Sequence, residues 1–528
     1  MKGGQGLMTA QWLDRVGDWN PQLFRELKGR LTRQSAFLVT LAALLLQFLL
    51  GSLVFESGSD PVPVFRILNW LLPMMLFVLG TVLLMTDLEQ EERRGTLNFI
   101  RLSPQTSQSI LLGKLLGVPV LVYLGAALLV PMHIWSTLAA NVSLSFLVSF
   151  YGLLGVACAF IFSLALLSAF IGRFSAGQTN SLGSTSALVT ALLVGLAFLP
   201  IYMNWNQLTV WSVWLSGLDT GGVNDLQWFF LPIGGSPAIA HSFTLLNAGL
   251  GIYWVWHILN RCFRSPTSAL LSKRYSYLMT AHVELLLLGF LVQSSISLNA
   301  TSDWFSVLLC FSLINLIWFG VLMLLLSPQR QALLDWARYR HAMTDMASGA
   351  RQRSLIADLI WGDKSPVLVA MLLNFGLVAA ILGTWVFVAS GEAPKLRLLA
   401  GLLLSFTLLA IYVAIAQFAT LAKSRQHTLQ VAVAIGGVAL LPPLILILAA
   451  QGEPTHAKEL MLFSPLLWLV LDNVSAIAIA LSLLGQLGVL GLLTFRFTQR
   501  LTQLGASETK ALLPGRDTAF RVRPRGAD

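Results

Sequence analysis

Charge is what this chain has least of. Lys, Arg, Asp and Glu make up 11% of its 528 residues, against roughly 25% in soluble domains. So thin a supply excludes an ordinary water-soluble globule. Cysteine is scarcer still. Cys158, Cys262 and Cys310 all fall in or beside apolar runs, which excludes a disulfide framework and any cysteine metal spacing. A phosphate-binding loop is missing too. Its nearest imitation, Gly362-Asp363-Lys364-Ser365, lacks the upstream glycine spacing and the strand–loop–helix setting. No cleavable leader is expected, because the first apolar run begins only near Ala36, after a polar segment that contains tryptophan.

What is present is hydrocarbon. The chain is 56% hydrophobic, with a mean hydropathy of +0.74. Only helices or closed barrels satisfy their backbone inside a bilayer, and a helix needs about 20 apolar residues to cross it. The apolar runs here are long and unbroken, whereas barrel strands alternate. The predicted fold is therefore all-α: a polytopic membrane protein of about twelve transmembrane helices. The spans are expected near 36–55, 65–86, 111–135, 144–171, 187–203, 236–260, 278–298, 304–326, 366–390, 396–422, 429–450 and 474–498.

The net charge of +10 would point to nucleic acid in a soluble protein. Here the basic residues read as topological anchors, and no nucleic-acid partner is expected. With both termini cytoplasmic, the inner segments hold nearly all of them. Examples are Arg25, Lys28, Arg30 and Arg33; Arg93, Arg94 and Arg101; Arg261, Arg264, Lys273 and Arg274; Arg338, Arg340, Arg351 and Arg353; and Arg496 and Arg500. The outer segments keep only Arg66, Lys395, Arg397 and Lys458. That asymmetry sets the orientation and makes membrane lipids a partner.

Four regions are expected. Residues 1–35 form a cytoplasmic amphipathic helix at the interface: Trp12, Val16, Trp19, Leu23, Leu27 and Leu31 recur at helical steps between basic residues, and Pro21 suits the first turn of a second helix. Residues 36–265 form a first six-helix half. Residues 266–500 form a second, containing the inner segment 327–365, in which Leu333, Leu334, Trp336 and Leu355 would face the membrane. Residues 501–528 read as a disordered cytoplasmic tail. Paired Ser-Pro segments, GGSPAIAHSFTLLN at 234–247 and LFSPLLWLVLDN at 462–473, hint that the halves are related and joined near 265–275.

Within this oily chain, Thr86–Gly117 is a polar island, TDLEQEERRGTLNFIRLSPQTSQSILLGKLLG. Asp87, Glu89, Glu91 and Glu92 would open a short helix, since carboxylates favour a helix N-terminus. Gly95-Thr96 would break it. Leu97, Phe99 and Ile100 are apolar enough to fill a groove. Ser103-Pro104 would start a new turn leading through Gly113-Lys114-Leu115 into the third span.

The run E-x-E-E-R-R-G-T-L-x-x-x-x-L-S-P, followed by I-L-L-G-K-L-L-G, resembles the coupling region of type 2 ATP-binding-cassette (ABC) exporter permeases. The matching residues are Glu91, Glu92, Arg93, Arg94, Gly95, Thr96, Leu97, Leu102, Ser103, Pro104, Gly113, Lys114 and Leu115, with Glu89 in the same acidic cluster. The resemblance implies a coupling helix that inserts into a cleft on a separate ABC ATPase subunit. On this reading the chain is no enzyme and holds no cofactor; ATP and Mg belong to the partner. The second half has no equal motif. Its connection 421–430 is too short, and 327–365 is a substitute without a motif. A second copy of this chain or a related permease would then complete the pathway. The resemblance also implies a multi-pass protein of a bacterial plasma or inner membrane, exporting an amphipathic or lipid-linked substrate.

Two other readings compete. A glycosyltransferase or polymerase acting on lipid-linked sugars would need outer-face acids; Asp60, Asp219, Asp225 and Asp303 are available but unclustered. The tryptophans of the outer loop 203–230 fit an interfacial belt better than a sugar platform. A non-transporting scaffold borrowing the same ATPase contact is the third. Among polar residues within spans, Glu284 is expected to snorkel at an inner end or to pair with Lys273 or Arg274. His133, His241 and His257 are assigned hydrogen-bonded packing roles. The junction 172–186, rich in Gly, Ser and Thr, suits close helix packing or a hinge.

Overall fold

Long helices account for nearly everything in the computed structural model. It describes residues 15–56, 58, 60–142, 144–175, 227–233, 237–265, 268–296, 301–345, 355–389, 394–421 and 458–505, with scattered positions between 433 and 448. Among the described residues ten helices are long and apolar enough to cross a membrane. There is no strand among them, only an isolated bridge between Trp228 and Leu231. The chain is a polytopic all-α membrane protein. The span predicted at 187–203 lies outside the described residues, as do most of the one at 429–450, most of the junction 172–186 and of the outer loop 203–230, and the tail beyond 505.

The chain gathers into two compact units, Met1–Pro266 and Thr267–Asp528. The first contains α1 (Pro21–Arg30), α2 (Arg33–Glu56), α3 (Val62–Arg93), α4 (Thr96–Arg101), α5 (Ser107–Gly117), α6 (Val120–Ala139), α7 (Leu144–Ser175) and α8 (Pro237–Arg264). Asn20 caps α1: its Oδ1 accepts from the Leu23 N–H at 3.0 Å, and Pro21 fills the first turn. Helix α3 contains Pro73, and the next five residues, Met75–Leu79, form a π turn. Proline removes a backbone donor, and the wider turn relieves the clash at that point. Gly80 then lets α3 approach α7 closely; a Cβ there would sit 2.3 Å from the Phe162 ring.

Two boundaries differ from the sequence expectation. The second span does not stop near 86 but runs on to Arg93, because Asp87, Glu89 and Glu91 find cations there and the helix stays intact. The third span begins at Val120, not near 111. Residues 107–117 form the separate helix α5, and Val118-Pro119 makes the turn between them.

The second unit contains α9 (Lys273–Ile296), α10 (Thr301–Leu326), α11 (Arg330–Asp345), α12 (Leu355–Trp361), α13 (Leu368–Ala389), α14 (Lys395–Leu421) and α15 (Ala476–Gly505). Helix α14 is its centre, with 72% of its apolar window buried, whereas α15 buries only 17%. An apolar helix so exposed would aggregate in water and suits lipid. Leu333 and Ala337 of α11 pack on Phe497 and Leu501 of α15. Leu333 is buried among these neighbours, and Leu334 is buried too, rather than laid on a membrane face; Leu355 is exposed.

Among the described residues each unit repeats one order: two spans, two shorter helices, then three more spans. In the first the short pair is α4 and α5; in the second it is α11 and α12.

Candidate functional site

The polar island folds around one buried cation. Lys114 is 1% exposed although it carries an ammonium. Its Nζ lies 2.7 Å from Asp87 Oδ2, 2.7 Å from Glu91 Oε2 and 3.6 Å from Glu26 Oε1. The contact with Asp87 is a hydrogen bond and the other two are ion pairs. Arg30 also pairs with Asp87 and Glu26, and Arg25 with Glu91 and Glu26. Burial alone would raise the Glu26 carboxyl pKa; Lys114 and Arg30 outweigh it and hold the group below its ordinary value. Glu26, Asp87 and Glu91 cluster closely enough to hold a metal ion, but the ammonium of Lys114 already occupies the centre of that triangle.

These charges come from three helices: Glu26 from α1, Asp87 and Glu91 from the end of α3, Lys114 from α5. The acids therefore close a long helix instead of opening a short one. Glu91, five residues beyond the predicted end of the second span, reaches Lys114 only because α3 continues. Apolar and backbone contacts tighten the same junction. Asn20 Nδ2 donates to Ser109 O at 2.8 Å. A Cβ on Gly113 would stand 2.8 Å from the Leu23 backbone nitrogen, and one on Gly117 2.5 Å from Glu26 Cβ. Gly113 and Lys114 thus form the receptor for α1: one admits the helix, the other neutralises it.

Beyond the clasp the chain turns outward. Gly95 has φ +70°, the left-handed region, and its surroundings are open. It breaks α3 and starts α4. Leu97 and Ile100 turn inward, 4% and 5% exposed, while Phe99 and Leu102 stand out at 79% and 86%. Arg101 Cζ sits 5.5 Å from the Phe263 ring centre and 5.9 Å from that of Phe170. It pins the base of α4 to α7 and α8. Arg264 Nε donates to Ser107 Oγ at 2.8 Å, tying α8 to α5.

The sequence-predicted site residues therefore separate into two groups. Lys114, Glu91 and Leu97 are enclosed or nearly so and hold the scaffold. Glu92, Arg93, Arg94, Thr96 and Pro104 are exposed, Glu89 and Ser103 half-buried. Glu89 bridges to Arg93 at 2.6 Å, and Thr96 Oγ1 donates to Glu91 O at 3.0 Å. Gly95 is exposed at the break between them. Sequence reasoning missed Glu26, Arg30 and Asn20 as partners of the island. The signal was their placement in an amphipathic helix with an acid on its otherwise basic face.

Elsewhere, His133 Nδ1 meets Tyr151 Oη at 2.7 Å with its ring stacked on Phe65, and His241 Nδ1 meets Ser149 Oγ at 2.8 Å. Glu284 does not snorkel: it is 0% exposed and bonds to neither Lys273 nor Arg274. The Lys273 ammonium turns instead to Leu359 O, Ser365 Oγ and Pro366 O, at 2.7, 2.6 and 2.9 Å. Gly362–Ser365 is thus a lysine-capped turn. Asp219 and Asp225 lie outside the described residues, and Asp60 is exposed at the start of α3. No family model, curated protein or solved structure matches the chain.

Proposed function

We propose that this chain is the membrane-spanning permease subunit of an ABC exporter, driven by ATP hydrolysed in a separate subunit. One observation carries the proposal: a short helix, α4, is packed down through Leu97, Ile100 and Arg101 and presents Phe99 and Leu102 outward beside Glu92, Arg93 and Arg94. A partner groove would take the two apolar side chains as anchors, and the flanking charges would steer and orient it. The clasp at Lys114 gives the docked helix a stiff connection to α1, α3 and α5, so displacement of α4 is transmitted to a span rather than absorbed.

In the second unit, α11 and α12 occupy the position in the order that α4 and α5 occupy in the first. We assign α11 and α12, the described helices of segment 327–365, as the second docking element on that ground. Helix α12 presents Leu355, Ile356 and Trp361 outward, and Asp358 is spent internally, accepting from Trp336 Nε1 and Arg340 Nη2 at 2.8 Å each. On this reading one chain serves two ATPase copies, in place of the second permease copy expected from the sequence motif alone. The cargo expected is amphipathic or lipid-linked, in keeping with spans so poor in charge.

The experiment is affinity purification of the full chain from its native membrane. An ATPase should co-purify. The double variant Phe99→Ser, Leu102→Ser should lose it while expression and thermal stability hold. Purification free of any ATPase, or retention of the ATPase by the double variant, would refute the proposal.

A further inference from the structure

The second unit buries a polar stripe that ATPase docking does not use. Lys273, Ser276, Thr280 and Glu284 follow at steps of three and four along α9, so they share one face. None is more than 2% exposed. At one end the stripe is satisfied: Lys273 has its three acceptors, and Asn374 Nδ2 of α13 donates to Ser276 Oγ at 3.2 Å. Further along, satisfaction ends. Thr280 Oγ1, both carboxyl oxygens of Glu284, and Oδ1 of Asn315 and Asn374 have no hydrogen-bond partner among the described residues. Native interiors pair nearly all such atoms, and each exception calls for a cause.

Asn315 of α10 is a polar neighbour of the Glu284 carboxyl, though without a well-formed bond to it. Asn315 also lines a cavity of about 20 Å³, together with Tyr412, whose hydroxyl is likewise unpartnered. That space admits one water, which needs about 10–15 Å³.

Among the described residues no cation reaches the carboxyl. Lys273 lies eleven residues back along α9, about 16 Å by helical rise, and is capped by other groups. Next to it are Asp358, paired with Arg340, and Asp363. His282, on α9 itself, is the other titratable group nearby. Helix α13 contributes no charged residue, and α10 only Asp303, twelve residues from Asn315. A lone ionised carboxylate so enclosed costs several kcal/mol, so the neutral acid is the stable form. Its O–H requires an acceptor, and Asn315, its polar neighbour, keeps an unpartnered Oδ1. Intramembrane ionisable residues are costly and commonly mark proton and ion pathways.

We propose that Glu284 is an intramembrane proton-binding site, loaded and unloaded through the polar stripe and the Asn315–Tyr412 cavity. One proton adds to a carboxylate oxygen from water and returns to water; no other bond changes. The site does not depend on the ATPase reading, so either can fail alone.

The test uses the full chain in lipid nanodiscs and a hydrophobic carbodiimide, which modifies protonated carboxyls in apolar surroundings, read by peptide mass spectrometry. Glu284 should be modified at about pH 7, where a water-exposed glutamate is ionised. Modification should fall several-fold as the pH is raised, and a water-soluble carbodiimide should leave Glu284 untouched. The protonated-carboxyl infrared band at about pH 7 should be lost in Glu284→Gln. Labelling is read on the unmutated chain, so it decides even where that variant does not fold. No labelling at neutral pH, labelling indifferent to pH, or equal labelling by the water-soluble reagent would overturn the proposal.

Discussion

Lys114→Met is the most searching perturbation of the first unit. Methionine keeps the length and apolar stem of lysine and removes only the charge. What remains is Glu26, Asp87 and Glu91, whose ligand oxygens lie within 4.8 Å of one another, with side chains 7%, 12% and 12% exposed. At an effective dielectric of about 20, a single contact at 2.7 Å is worth ~6 kcal/mol of gross Coulomb energy. Desolvation of the lysine offsets much of that, and Arg25 and Arg30 remain to neutralise part of the cluster. The net loss expected is about 3–5 kcal/mol, the range for a buried pair broken on one side. For a unit of this size that lowers Tm by about 6–20 °C. The assay is thermal unfolding in detergent followed by tryptophan fluorescence. Adding Asp87→Asn and Glu91→Gln should restore most of the loss, because the cost lies in uncompensated charge. A Tm within about 2 °C of wild type for Lys114→Met alone, or no recovery in the triple variant, would refute the reasoning.

The acid limb of the stability profile tests Glu26. Its folded pKa lies below the unfolded value, so its contribution is present above about pH 4.3 and is lost as pH falls through the folded value; Glu26→Gln should flatten that limb in a Tm-against-pH series. Gly113→Ala should cost about 1–3 kcal/mol by overpacking against the Leu23 backbone and should release α1, read as faster limited proteolysis near residue 20. Gly95→Ala meets no atom within 4 Å and pays only for its left-handed backbone, about 1–2 kcal/mol; Gly95→Asn should recover part of it, and equal Tm values for the two variants would count against the backbone explanation. Gly80→Ala should separate α3 from α7 at Phe162, seen as a Tm loss that Phe162→Leu relieves.

Most of the architecture was legible because a bilayer imposes a simple code. Apolar length fixes a span, and Pro21 behind Asn20 fixes a helix start; both depend on residues adjacent in sequence. What failed depended on distant ones. Four acids after an apolar run read as a helix opening, since the dipole favours carboxylates there. The chain does the opposite, because Lys114, Arg25 and Arg30 arrive from other helices and make the C-terminal end of α3 tolerable for Asp87 and Glu91. Lys114 misled in the same way. A lysine in a polar connection suggests a solvated contact, and only the three-dimensional meeting of α1, α3 and α5 encloses it. Glu284 misled through its neighbours: Lys273 and Arg274 lie on the same helix, but Lys273 is taken by the carbonyls of 359 and 366, which sequence spacing cannot reveal. The resemblance in Glu91–Leu115 therefore mixes two physical jobs. Gly113 and Lys114 build the anchorage, while Glu92–Thr96 lead to the exposed surface at Phe99 and Leu102. A substitution of Gly113 or Lys114 should move stability first, and on the proposed reading one at Phe99 or Leu102 should move partner binding alone.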